Sequence, residues 1–132
     1  MIFIDSGFLI AIFVDKDQWH KKGIRLIDKI DKIPKEDKII SNLVIEEIIT
    51  LIGSKIGAKA SIEVYGYIHD NYTVFNEDKS LYDKSMSSFL KYNATLSLTD
   101  CVSIEIMKEL EINKIVSFDS DFDKVDGIVR VH

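Results

Sequence analysis

A single cysteine, Cys101, among 132 residues rules out an intramolecular disulfide and any zinc site built on several thiolates. Such a chain fits a reducing cytoplasm. An excess of positive charge is missing too: 17 basic against 22 acidic residues leave a net charge of −5. No global field exists to draw in nucleic acid, so a histone-like or basic-tail binder is excluded, although a local basic face remains open. Long apolar runs are absent, the longest being Phe8–Val14, against the roughly 18 residues expected of a membrane span. The first residues have no basic region, Asp5 interrupts their apolar stretch, and no small-residue cleavage site follows, so an exported leader is not expected. There is one proline, Pro34, and there are no internal repeats and no low-complexity segments.

What remains is a chain with 46% apolar residues, long enough for one domain that buries roughly two-thirds of its unfolded surface. Met1-Ile2-Phe3-Ile4-Asp5 is a short apolar run ending in a carboxylate, the pattern of a strand buried on both faces. Ser6 can cap a following helix through Val14, and Asp15 and Asp17 can open a second one to about Lys32, with Trp19, Leu26, Ile27 and Ile30 inward. Pro34 ends it. Lys38–Ser41 reads as a second strand, with Asn42 capping a helix from Leu43 to about Ser54, and Gly53 and Gly57 bracket a turn before a helix from Ala58 to about Asp70. Tyr72–Phe75 is a third strand, Glu77–Tyr92 a helix, and Ser97-Leu98-Thr99-Asp100 a capping box opening a helix to about Glu111. Lys114–Phe118 and Gly127–Val131 close the series as strands. Alternation of this kind predicts an α/β/α sandwich on a central, mostly parallel sheet of four to five strands.

Ligands of such sheets bind beyond the carboxyl ends of the strands. Asp5 follows the first strand, Asp100 opens a helix, and Asp119 and Asp121 follow the fourth strand. Each has an ordinary alternative: Asp5 as a helix cap, Asp100 as the third residue of its capping box, Asp119 and Asp121 as turn formers. Helix caps do not need three or four carboxylates at one sheet edge, and like charges packed together are either protonated or held by a cation. Carboxylate oxygens without a histidine pair or thiolates are the donor set of Mg²⁺ or Mn²⁺. Glu46 and Glu47 sit side by side in a mostly apolar helix. Glu47 has Leu43 and Leu51 as its neighbours four residues away, and should lie nearer the buried boundary than Glu46, flanked by Asn42 and Thr50.

Four segments, Ile2-Phe3-Ile4-Asp5-Ser6-Gly7, Ser41–Glu47, Ser97–Cys101 and Ser117–Phe122, together resemble the motifs of the PIN domain family, and in size and layout the chain resembles the VapC-type toxin ribonucleases. The resemblance implies an acidic quartet, here Asp5, Glu47, Asp100 and Asp119 with Asp121 as a frequent fifth acid, which binds Mg²⁺ or Mn²⁺ and hydrolyses RNA. It also implies an antitoxin protein as partner and a homodimer, with the first two helices as a docking surface. Cys101 stands where relatives often carry alanine, and the adjoining Glu46 and Glu47 leave the second motif with two candidates. Ser6 and Ser117 are expected either to hold carboxylates or to serve plain capping and turn roles. Lys21, Lys22 and Arg25, and Lys55 and Lys59, are candidate phosphate contacts or simply solvated lysine and arginine faces. A PIN nuclease of RNA processing rather than a toxin is the alternative. A Mg²⁺-binding receiver domain fits less well, since receivers carry paired acids after the first strand and a lysine after the last.

Overall fold

The computed structural model describes residues 1–132. Five strands, β1 (Ile2–Ile4), β2 (Lys38–Ser41), β3 (Thr73–Phe75), β4 (Lys114–Val116) and β5 (Val129–Val131), form one sheet in the order β3-β2-β1-β4-β5. Every neighbouring pair is parallel. Parallel neighbours need long crossovers. Helices α1 (Ser6–Phe13) and α2 (His20–Asp31) join β1 to β2, α3 (Asn42–Lys55) and α4 (Ala58–Asn71) join β2 to β3, and α5 (Lys79–Lys91) and α6 (Leu98–Glu109) join β3 to β4. Only a short 3₁₀ turn at Ser120–Lys124 separates β4 from β5.

Burial follows position in the sheet. Ile2, Phe3, Ile4, Ile39, Ile40, Ile115 and Val116 on the inner strands are all buried, whereas Thr73 and Val129 on the outer strands are exposed, because an inner strand is covered on both faces. Gly23 lets α1 and α2 approach closely: a Cβ built there would lie 3.1 Å from the Cβ of Ala11. Gly57, at φ +127°, makes the turn between α3 and α4 in a conformation that other residues rarely adopt. No helix is long and apolar enough to cross a membrane.

The expected elements are present, with shifted starts. Asp5 rather than Ser6 caps α1, its Oδ1 accepting the Ser6 N–H at 2.9 Å. Ser41 rather than Asn42 caps α3, through the Val44 N–H at 3.1 Å, and Asn42 turns instead to Asn76. Helix α2 opens at His20, not at Asp15 or Asp17. The Asp17 carboxylate accepts the Trp19 N–H and the His20 ring meets the Ala11 carbonyl at 2.7 Å, so local side-chain bonds hold residues 15–19 in a turn. Helix α5 starts after Asp78, which caps it, while Glu77 reaches across to the Leu43 N–H. The Ser97–Asp100 capping box is formed as the spacing predicts.

Chain order places β1, β2 and β3 progressively to one side and β4 and β5 to the other, so the winding reverses between β1 and β4. The crevice beyond that pair is where a doubly wound sheet binds ligands. The Asp5 N–H continues the ladder to the Val116 carbonyl at 3.1 Å, and the Ser117 N–H continues it to Val131 at 3.2 Å. Both residues are thus fixed by sheet pairing at the crevice floor.

Candidate active site

Asp5 is 8% exposed and both of its carboxylate oxygens are engaged: Oδ1 by the Ser6 N–H, Oδ2 by the Ser117 hydroxyl at 2.7 Å. Burial nevertheless pushes its pKa up from 3.8 to about 7. The Ser117 hydrogen bond opposes the rise, the charge of Asp100 adds to it, the Ser6 N–H opposes it and the charge of Glu47 adds again. Asp100 is likewise raised, first by burial, against two bonds from Ser97, with Asp119 and Glu47 repelling it. Its carboxylate accepts the Ser97 N–H while its own N–H donates to the Ser97 hydroxyl. The capping role and a place among the acids therefore coexist in one residue.

Glu47 departs from the expected buried boundary. Val44, Ile45, Ile48 and Ile52 take the core-facing stripe of α3 and leave both Glu46 and Glu47 exposed. The two still differ: Glu47 Oε1 accepts the Ser6 hydroxyl at 3.1 Å and its charge reaches Asp5 and Asp100, whereas the charge of Glu46 is felt at Tyr82. Both line an open groove of about 630 Å³ with Thr50, Ser54, Ser97 and Thr99. Asp119 is exposed. It accepts the Asp121 N–H, the bond of a turn former, and its own N–H donates to the Ser117 hydroxyl at 3.0 Å. Asp121 turns away and pairs with Lys124 at 3.2 Å.

Ser6 and Ser117 thus bridge the elements. Ser6, on α1, holds Glu47 of α3, and the Ser117 hydroxyl donates to Asp5 while accepting from the Asp119 backbone. None of Asp5, Glu47, Asp100 or Asp119 pairs with a basic side chain. As placed, no three acidic, histidine or cysteine side chains converge on one ion-sized position. The donor set fits a hard divalent cation in its chemistry and in its unrelieved repulsion, and the exposed Glu47 and Asp119 would have to turn toward Asp5 and Asp100 to share one.

Two further features were not anticipated from sequence. Arg130, on β5, grips Asp123 with Nε and Nη2, each at 3.1 Å, and donates from Nη1 to the Ser117 carbonyl. It thereby ties the 3₁₀ turn after Asp119 to the strand end that carries Ser117. A lone arginine between Val129 and Val131 in a short strand was the available signal. Trp19, placed in the core by its apolar neighbours, is half-buried and stacks on Phe118, with ring centroids 5.4 Å apart and planes 18° apart, against the residue that precedes Asp119.

The family model described as PIN domain matches residues 2–128. Among solved structures, VapC20 of Mycobacterium tuberculosis, described as a sarcin-ricin loop cleaving toxin, superposes with a TM-score of 0.86 at 23% identity, covering 99% of this chain and 98% of that one. A chain of a toxin–antitoxin complex from Klebsiella pneumoniae gives 0.69 at 15% identity over 98% and 96%. VapBC2 of Rickettsia felis, bound to a DNA fragment from its promoter, gives 0.68 at 9% over 99% and 98%. At these identities the likeness is one of fold. No curated protein sequence matches the chain.

Proposed function

The chain belongs to the PIN domain family, and from that premise we propose that it is a divalent-metal-dependent endoribonuclease, the toxin of a VapBC-type pair. One observation carries the reading: Asp5, Asp100, Glu47 and Asp119 lie along the switch-point edge of the sheet, where the charges of Asp100 and Glu47 act on Asp5 and those of Asp119 and Glu47 act on Asp100, with no basic side chain to neutralise them. Burial, with neighbouring like charges adding to it, raises the pKa values of Asp5 and Asp100, and that combination at a ligand-binding edge is the signature of a functional site. The toxin–antitoxin descriptions of the structural neighbours support an antitoxin as the protein partner, and a cytoplasmic homodimer acting on RNA completes the reading.

Asp5, Asp100 and Asp119 are the residues to hold Mg²⁺ or Mn²⁺, with Asp121 at the periphery, where Lys124 competes for it. The bound cation supplies charge neutralisation at the phosphate and makes water a better nucleophile. The protein's part is positional. Ser117 and the Ser6 N–H fix the Asp5 carboxylate in one rotamer, the capping box fixes Asp100, and Ser6 aims Glu47 toward the same edge. Glu47 would act as a ligand through water or as the base that orients the attacking water, whose oxygen bonds to phosphorus as the bond to the 3′-oxygen breaks, the proton released by that water ending on the departing 3′-oxygen. The products carry 5′-phosphate and 3′-hydroxyl ends.

The test is incubation of purified protein with mixed-sequence single-stranded RNA in Mn²⁺ or Mg²⁺, beside EDTA and the Asp5→Asn variant. Cleavage that is lost in both controls supports the nuclease. Cleavage that survives in EDTA, or equally in Asp5→Asn, overturns it.

A further inference from the structure

The overall charge is negative and the crevice itself is acidic, so a polyanion needs a cationic foothold beside it. The five cations flagged in the sequence do not share one place. Lys55 faces a cavity with Phe13, Val14, Asp15, Lys16 and Ile56 at the far end of α3, while Lys59 is simply exposed on α4. Lys22 and Arg25 instead line one cavity of about 220 Å³ with Leu26 and His132. His132 follows β5, whose Val131 pairs with Val116 of β4, so this cavity opens at the carboxyl edge of the sheet, on the β5 side of the acids.

One line of contacts connects the cavity to that edge, and two observations leave its charges free of ion pairs. The Lys22 ammonium lies 5.0 Å from the centre of the Trp19 ring, and Trp19 stacks on Phe118, which precedes Asp119. Neither Lys22 nor Arg25 forms an ion pair; Arg25 donates only to the Lys21 carbonyl at 3.3 Å. Asp123, whose charge interacts with that of His132, is already held by Arg130. Neither Lys22 nor Arg25 is therefore taken up by an ion pair with an acidic side chain. On the opposite flank, the groove beside Glu46 and Glu47 contains no basic residue.

We propose that the Lys22–Arg25 face of α2, seated on Trp19, is the phosphate-binding surface for the single-stranded RNA backbone entering the acidic crevice from the β5 side. This deepens the nuclease reading and rests on it for the identity of the polyanion. Each basic side chain that neutralises a phosphate of a single strand contributes about 0.7 to the slope of log affinity against log salt. Trp19 is the only tryptophan, so its emission reports directly on whether Lys22 leaves its ring.

The experiment measures binding of a fluorescein-labelled, mixed-sequence 20-nucleotide RNA to the full chain carrying Asp5→Asn, across a salt series, with and without Lys22→Ala and Arg25→Ala. The expected result is a salt slope smaller by about 1.4 in the double variant, together with a change in Trp19 emission on RNA binding that Lys22→Ala abolishes, while Lys59→Ala leaves the slope intact. With Asp5 restored, the double variant should raise KM and leave kcat unchanged. An unchanged slope, or no RNA binding at any salt, overturns the proposal. So does a slope that falls as far in Lys59→Ala, which would mean diffuse charge. Slope dependence on Lys22 and Arg25 without metal-dependent cleavage by the unmodified chain would uphold this surface and sink the nuclease. Cleavage whose KM ignores both residues would do the reverse. If the double variant instead loses affinity for an acidic protein partner and not for RNA, the face belongs to that partner and the proposal fails.

Discussion

The two ends of the sheet solve opposite problems. At the amino ends of the strands, Lys29, Asp37 and Lys114 mix both charge signs around Met1, Ile2, Ile30 and Ile33, and the buried Lys38 lays its ammonium 4.9 Å over the Tyr72 ring. At the carboxyl ends, four carboxylates line one edge without a basic partner, and the most buried of them is pushed to about 7. An edge selected only for stability would resemble the first. The second keeps a repulsion that folding alone would remove, and a site under strain of this kind is where a cation and its substrate are needed.

The sharpest way to break this contrast is to neutralise each edge in turn. Asp5→Asn and Asp100→Asn keep the side-chain shape, and each should lower RNA cleavage by about 10²–10³-fold, the scale seen when a group that stabilises transition-state charge is removed. Asp37→Asn at the amino edge should leave cleavage unchanged. Equal losses at both ends in initial-rate assays would show that the acids act through global stability. Next in size is Ser117→Ala, which deletes the hydroxyl bonded to Asp5 and to the Asp119 N–H. Loss of an outer-shell partner typically costs 10–100-fold, so a decrease of about tenfold or more in kcat, with metal affinity also weakened, is expected. Retention of full activity would reduce Ser117 to a turn former.

Stability against pH sharpens the comparison further. Folded Asp5 holds its proton up to about pH 7, whereas an unfolded aspartate gives it up near 3.8. Between those values the folded state binds more protons than the unfolded one, so stability falls as pH rises. Below the window both states are protonated, and above it the full penalty remains. In chelator, the melting temperature should therefore decline from pH 4 to pH 7. Asp5→Asn should flatten that decline and melt higher than the parent at pH 8. Mn²⁺ should stabilise the parent more at pH 8 than at pH 5, since the ligands must be deprotonated to bind it. A melting temperature that rises over the same window in chelator would contradict the assignment of a raised Asp5 pKa.

Much of this was legible in the chain because the features involved are local. An apolar run stopped by Asp5, a Ser97–Asp100 box and the alternation of strands with helices each declare themselves within a few residues. Adjacent cap candidates did not: Asp5 with Ser6 and Ser41 with Asn42 are chemically equivalent caps, and only the backbone path decided between them. The start of α2 was misplaced because Asp17 bonds the Trp19 N–H rather than opening a helix. Glu47 was expected at the buried boundary because its neighbours four residues away are apolar, yet the core took the adjacent stripe. Arg130 acts on Ser117 and Asp123, contacts that arise only when β5 pairs with β4. Long-range pairing leaves no local mark.

The smallest effect belongs to the stable edge. Tyr72 is 1% exposed and its hydroxyl lies within reach of Tyr67 without forming a well-shaped hydrogen bond, while its ring contacts Lys38 and Tyr67. A buried hydroxyl so poorly partnered has lost its water and gained little for it. Tyr72→Phe removes that group and keeps the ring, the cation contact and the edge-on aromatic packing. Chemical denaturation should show stability unchanged or raised by up to about 1 kcal/mol, with RNA cleavage unaffected. A loss beyond about 1 kcal/mol, the typical net worth of a hydrogen bond, would mean that the hydroxyl is satisfied in solution. The amino edge would then contain a polar network of its own, and the difference between the two ends would lie in the sign of the charge alone.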